Sequence, residues 1–238
     1  MTSAIKRIVN KDLKEIQNMD LKEQGIYIMF DEENMLNAYA IIIGPKDTPF
    51  EDGILYFTIH FPKNYPFSPP KINYLSHSKY RIHPNLYVGH SSEDFKGKVC
   101  LSIINTWSGP KWSTVMHIGS IMISIKSLLD DNPLRNEPGF ENVNDNRNKY
   151  YNQIIQYDTF NHLILNNCFK IHPKFEIFSD IIQKHIQQNK DSILHKIQYL
   201  KKKYPCKRKI TASVYRLNNI LIDYSELYQR IKNKFDSI

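Results

Sequence analysis

The sequence predicts an α+β protein. Three observations carry this: an amphipathic helical pattern at the N-terminus, then a series of strand-like runs separated by turn residues, then helical periodicity through the second half. Residues 3–18, SAIKRIVNKDLKEIQN, place Ile5, Ile8, Val9, Leu13 and Ile16 on one face of a helix, with Ser3 as the expected N-cap. GIYIMF (25–30), NAYAIII (37–43) and GILYFTIHF (53–61) read as strands. GPKDTPFEDG (44–53) has the Gly, Pro and Asp that a turn between strands needs. YPFSPPKI (65–72) cannot be regular, because three prolines remove donors and fix φ; it is expected as an ordered loop leading into a fourth short strand. The result is a four-stranded antiparallel meander.

A long irregular connection follows, from His77 to Lys98, of a length that inside a domain is often functional. WSTVMHIGSIMISIKSLLDD (112–131) has helical periodicity, with Ser113 as its candidate cap, and NPLRNEPGFEN (132–142) breaks it. From Asn146 to about Asn189 the pattern is helical again, through Tyr151, Ile154, Ile155 and Leu163 and then Phe178, Ile181, Ile182 and Ile186. The expected organisation is a core over 1–145 and a helical C-terminal extension over 146–238. There is no internal repeat.

Composition narrows the function classes. At 238 residues the chain can build a sizeable core. Its net charge of +8 is local: residues 192–222 hold eight Lys/Arg and no Asp/Glu, leaving 24 basic against 24 acidic elsewhere. The basic balance therefore belongs to one C-terminal segment. Its densest part, KKKYPCKR (201–208), is a candidate surface for nucleic acid or anionic membrane, but a solvated, partly helical extension is the favoured reading. The three cysteines, Cys100, Cys168 and Cys206, are too unevenly spaced for a disulfide framework, and no C-x-x-C pair marks zinc. His77, His83 and His90 are loosely spaced and read as loop histidines, so no metal is expected. A charged, helix-patterned N-terminus is unlike a signal peptide, and no apolar run reaches the roughly 18 residues of a membrane span. The expectation is a cytoplasmic protein, with the nucleus as the alternative.

Several motifs occur in a fixed order: GPKDTPFEDG, IHFPKNYPFSPPKI, His83-Pro84-Asn85, Gly97-Lys98-Val99-Cys100-Leu101, Trp112-Ser113 and the apolar helix. Together they resemble the ubiquitin-conjugating enzymes, the E2 class, over residues 3–145. CLSIINTWSGPKW (100–112) and NPLRNEPGFEN look most like the large members of the E2 Z type, which also carry a C-terminal extension. The resemblance implies the UBC fold, with an active-site loop and a crossover helix beside the meander.

It also implies a chemistry. Passing an acyl group from one thioester to another needs a thiol that is both nucleophile and leaving group, and Cys100 matches that position. Cys100 is expected at the end of an irregular loop, presented to solvent. His83 has a structural role in the resemblance, shaping with Pro84 and Trp112 the loop that carries Asn85. Asn85 has two roles open to it: stabilising the oxyanion when a lysine attacks, or bracing the active-site loop. Glu137 stands where many E2s place an acidic gate residue that orients or deprotonates the lysine; its alternative is a solvated turn acid. Lys6 and Arg7 match positions that meet the activating E1. Phe67, Ser113 and Thr114 match the loops that meet an E3, and Ile123 and Ser127 match the face that contacts donor ubiquitin.

Departures from the family pattern are equally specific. Fourteen residues separate Asn85 from Cys100, about twice the family's interval, with VGHSSEDF (88–95) as the excess. Ser113-Thr114-Val115 replaces the usual Ser-Pro-Ala, which puts ordinary RING-type partnership in doubt. Ser102 replaces the frequent Asp, and Tyr27 fills a backside position that is small in chain-elongating members. The expected function is an E2 that accepts ubiquitin from E1 on Cys100 and passes it to a substrate lysine or an E3, with ATP consumed by E1 and no cofactor of its own. The alternatives are an E2 for another ubiquitin-like modifier, and a non-catalytic E2-like binding module with a nucleic-acid- or membrane-binding tail.

Overall fold

The N-terminal helix starts at the residue expected to cap it, so its cap lies one residue earlier. Thr2, not Ser3, accepts the Ile5 N–H on its hydroxyl, at 3.4 Å. Helix α1 (Ser3–Arg7) then widens into a π-helical turn, Ile8–Asp12, before α2 (Leu13–Asn18). The widened turn turns Asp12 inward, where it is fully buried. Its Oδ1 accepts from Tyr65 Oη at 2.6 Å and from Ile118 N at 3.1 Å. This computed structural model describes residues 2–76, 78–89, 96–143 and 145–237. His77, His90 and most of the VGHSSEDF stretch lie outside the described residues.

The strand-like runs form a sheet: β1 (Ile26–Phe30), β2 (Asn37–Ile43), β3 (Ile54–His60), β4 (Lys71–Leu75) and a fifth short strand, β5 (Lys96–Lys98), in sequence order. Ile28 pairs Ala40, Thr58 pairs Asn73, and Tyr74 pairs Gly97, each antiparallel. The fifth strand was not legible because KGK has no apolar alternation; tertiary pairing with β4 makes it a strand. Helix α3 (Ile118–Ser127) is shorter than the 112–131 periodicity suggests. Its cap is His117, not Ser113: His117 Nδ1 accepts the Ser120 N–H and the Ser120 hydroxyl returns to the His117 backbone. Residues 114–116 stay outside the helix because their carbonyls are taken. Arg7 donates to Thr114 O at 3.1 Å and Met116 O at 2.8 Å, and Lys11 to Val115 O at 3.2 Å.

By contacts the chain forms two compact units, one of residues 1–43, 55–76 and 85–129, the other of 44–54, 77–84 and 130–238. The second unit holds α4 (Asn146–Asp158), a π-helical turn Thr159–Ile164, a 3-10 stretch Pro173–Phe178, α5 (Ser179–Lys203), the hairpin β6 (Arg208–Ile210) and β7 (Ile220–Ile222), and α6 (Tyr224–Phe235). The helical pattern of 146–189 corresponds to α4 and the start of α5, with a break between them. Within this unit the 44–53 turn is gripped by C-terminal residues. Asn167 Nδ2 donates to Ile54 O at 2.6 Å, Thr159 Oγ1 to Pro49 O at 2.9 Å, and His185 pairs Asp52 at 3.3 Å. Gly53 allows the approach, since a Cβ there would stand 2.8 Å from the Leu163 side chain. Among the described residues no helix is long and apolar enough to cross a membrane, and no cluster of His, Cys, Asp and Glu would hold a metal.

Candidate active site

The first question is how Asn85 and Cys100 meet across fourteen intervening residues. A short antiparallel ladder answers it. Tyr87 N donates to Lys98 O at 3.0 Å, Leu86 bridges Val99, and Cys100 N donates to Asn85 O at 2.9 Å. The Asn85 side chain closes the end of the ladder, its Nδ2 donating to Cys100 O at 2.7 Å. Gly97 lets the two stretches approach: a Cβ there would fall 1.4 Å from Tyr87 O. The described residues on either side of the longer interval are therefore paired to each other, and the Asn–Cys pairing survives it.

Cys100 itself is buried, with 3 % of its surface exposed, contrary to the expectation of a solvent-presented side chain. It sits at the end of a hydrogen-bonded ladder and not in a free loop, so its backbone faces the interior between Val99 and Leu101, both buried. A residue the sequence reading did not single out locks the far side. Thr106 Oγ1 accepts from Leu101 N at 2.8 Å and lies 2.8 Å from Val99 O and 3.1 Å from Leu101 O, while Thr106 N donates to Leu101 O at 3.0 Å. Asn105 beside it is left-handed, φ 60°, and its side chain accepts the Trp112 N–H at 3.0 Å. The sequence signal was an Asn-Thr pair directly after the SII turn, where Asn tolerates positive φ and Thr bonds locally.

The remaining site candidates fall into separate groups. His83 and Pro84 are buried, with the His83 ring 6.2 Å from that of Phe50. Trp112 donates from Nε1 to Pro66 O at 2.7 Å, and its ring lies 6.0 Å from Tyr65. That bond ties the Phe67 loop to the 112–116 loop, which Arg7 and Lys11 hold from α1 and the π turn. Phe67 is 78 % exposed and Val115 68 %, and Ser113, Thr114 and Lys6 are exposed around them. Arg7 is largely occupied within the chain, its side chain 12 % exposed. Ile123 is half-buried and Ser127 exposed, one turn apart on α3.

Glu137, in the second unit, is no solvated turn acid. Its Oε2 accepts from Tyr215 Oη at 2.5 Å and lies 4.0 Å from an Arg81 nitrogen. Tyr215 belongs to the C-terminal hairpin, and nothing in its local sequence marked it. Of the other thiols, Cys168 is buried, which pushes it well above the usual range, and Cys206 is exposed.

One family matches the sequence across most of the chain. The ubiquitin-conjugating enzyme family model covers residues 8–158, and the chain belongs to that family. Ubiquitin-conjugating enzyme E2 Z of Danio rerio is 41 % identical over 138 residues, 57 % of this chain and 40 % of that protein. The Homo sapiens E2 Z is 40 % identical over the same length, 37 % of its chain. The chain thus spans about two fifths of the length of these relatives, which are of the type the sequence motifs resemble. A Plasmodium yoelii crystal structure assigned as a ubiquitin conjugating enzyme aligns with TM-score 0.50 and 24 % identity, covering 68 % of this chain and 97 % of its own, which supports the fold.

Proposed function

We propose that this chain is a thioester-forming ubiquitin-conjugating enzyme, with residues 1–145 as its catalytic core and 146–238 as an extension. The observation that carries the reading is the Asn85–Cys100 ladder, which keeps the amide beside the cysteine despite the longer connection. Ubiquitin arrives as a thioester on E1. The Cys100 thiolate attacks its carbonyl carbon, the new C–S bond forms, and the E1 thiolate leaves. A lysine amine, or an E3 thiol, then attacks the Cys100 thioester. With lysine a C–N bond forms, the C–S pair leaves with Cys100 Sγ, and the amine proton passes by way of Glu137 to solvent. ATP is consumed by E1 alone.

Asn85 braces the loop in this reading, since its Nδ2 is committed to Cys100 O. The amide nitrogen carries two hydrogens, so the bond to Cys100 O is compatible with a further role as oxyanion donor. The exposed Phe67 and Val115, fixed by the Trp112 and Arg7 bonds, are the proposed E3-facing surface, with Lys6 toward E1 and Ile123 and Ser127 toward donor ubiquitin.

The test is a charging reaction with E1, ATP and ubiquitin on a non-reducing gel. Cys206→Ser is used as background, so that the exposed thiol cannot form the adduct. The expected product is a reductant-sensitive conjugate that becomes at most a stable ester in Cys100→Ser. Charging with a different ubiquitin-like modifier and not with ubiquitin would move the assignment to that modifier. No adduct with any would leave a non-catalytic binding module.

A further inference from the structure

Three segments distant in sequence converge on Arg81 in the second unit. Its Nη2 donates to Pro84 O, the carbonyl directly before Asn85. Its guanidinium lies 4.4 Å over the centre of the Tyr215 ring and 4.0 Å from Glu137 Oε2. Tyr215 Oη donates to that same Glu137 oxygen at 2.5 Å. Tyr151 supports the cluster from α4: its hydroxyl donates to Arg81 O at 2.9 Å and its ring is 5.6 Å from Tyr215. Burial raises Tyr151 well above the usual phenol range, so it stays a donor throughout.

The loop that delivers Tyr215 is costly to hold. Between β6 and β7, Ser213, Tyr215, Arg216 and Asn219 all have positive φ, at 57°, 50°, 59° and 54°. For residues with a Cβ this region of backbone is strained. A plain hairpin turn needs no such sequence. The conformation is retained where surrounding contacts over-determine it, and the contacts of this loop include those of Tyr215 to Arg81, Tyr151 and Glu137.

We infer that Tyr215 is a positioning residue for lysine discharge: through its hydroxyl on Glu137 Oε2 and its ring under Arg81, the C-terminal hairpin fixes the gate carboxylate and the Pro84 turn. A carboxylate with one oxygen pinned presents a defined acceptor to an incoming ammonium. The same aromatic ring keeps Arg81 on the carbonyl that leads into Asn85. The inference rests on the reading of Glu137 as the acidic gate.

The experiment uses the full chain, charged with ubiquitin and then chased with free lysine after E1 is stopped by chelating its magnesium. Discharge is read per thioester present, over a range of lysine concentrations, for wild type, Tyr215→Phe, Glu137→Gln and the double variant. Tyr215→Phe keeps the ring on Arg81 and removes only the hydroxyl. It is expected to lower the maximal discharge rate about ten-fold or more, the scale of a lost hydrogen bond to a charged group. Because Tyr215 acts through Glu137, adding Tyr215→Phe to Glu137→Gln is expected to cost less than about two-fold more, whereas general loosening would multiply the two losses. A Tyr215→Phe rate within about two-fold of wild type, or multiplicative losses in the double variant, would overturn the inference while leaving the thioester reading intact. A wild type that takes up no ubiquitin would overturn both.

Discussion

Asn85 shows how a single side chain can carry a site. Its amide is the last rung of the ladder that holds Cys100, donating to Cys100 O beyond the backbone pairs. Removing it in Asn85→Ala is expected to cost about 1 kcal/mol of folding stability, because Cys100 O loses its partner. The same change should slow lysine discharge at least about ten-fold, since the loop no longer presents the thioester in one geometry. Denaturant unfolding and the lysine chase, run on the same preparation, check both. Unchanged stability with slower discharge would instead mean that the amide acts only in the transition state. The residue pair was legible because His-Pro-Asn and Gly-Lys-Val-Cys are local patterns. The burial of Cys100 and the Thr106 lock were not, because both depend on a ladder whose strands lie far apart in sequence.

Elements show a similar division. Periodicity located α1, α3 and α5, but it could not see their ends, which are set by groups from elsewhere in the chain. Residues 112–117 have the right spacing for helix, yet Arg7 and Lys11 capture the carbonyls of 114–116 and His117 caps α3. The basic run also has local employment. Lys201–Lys203 occupy the last turn of α5, where cations suit the helix dipole, and Arg208 lies 3.5 Å from the Tyr204 ring centre. Asp223 is the clearest element-scale test. It caps α6 through Oδ1 to Ser225 N and Glu226 N, both at 3.0 Å, and its Oδ2 meets Lys207 at 3.0 Å. The Glu226 backbone bond, and then Lys207, hold its carboxyl below the usual range. A lowered folded value means the charged cap stabilises fully above the ordinary Asp value and is lost as pH falls through the folded one. Asp223→Asn keeps a capping acceptor and removes the charge. It is expected to cost about half a kcal/mol at neutral pH. That gap should close below about pH 4, as followed by thermal unfolding across pH. A gap of equal size at both ends would assign the cap's contribution to geometry alone.

At the scale of the molecule, the C-terminal segment is structural for loops far upstream of it. The sequence could mark 146–238 as helical, but not what it holds, because half of the partners named below are backbone carbonyls with no side-chain signature and the rest lie far away in sequence. Asn167 takes Ile54 O, Thr159 takes Pro49 O, and Tyr151 takes Arg81 O. Asp158, fully buried, accepts from Ser78 at 2.7 Å while pairing with His162. Lys196 pairs with Glu51 and His185 with Asp52. A fragment ending at residue 145 would strip every one of these partners from the 44–54 and 77–84 stretches. Each lost bond to a buried group costs about 1–3 kcal/mol, so several together approach the 5–15 kcal/mol that keeps an ordinary domain folded. The fragment 1–145 is therefore expected to show no cooperative thermal transition, or one at least about 10 °C below the full chain. Hydrogen exchange should place the lost protection first at 44–54 and 77–84. A fragment that melts with the full chain would mean that these loops are held by their own turns, and that the extension is an appendage. The grip on Ile54 O, Pro49 O and Arg81 O argues against that, since these carbonyls accept from side chains of the C-terminal segment.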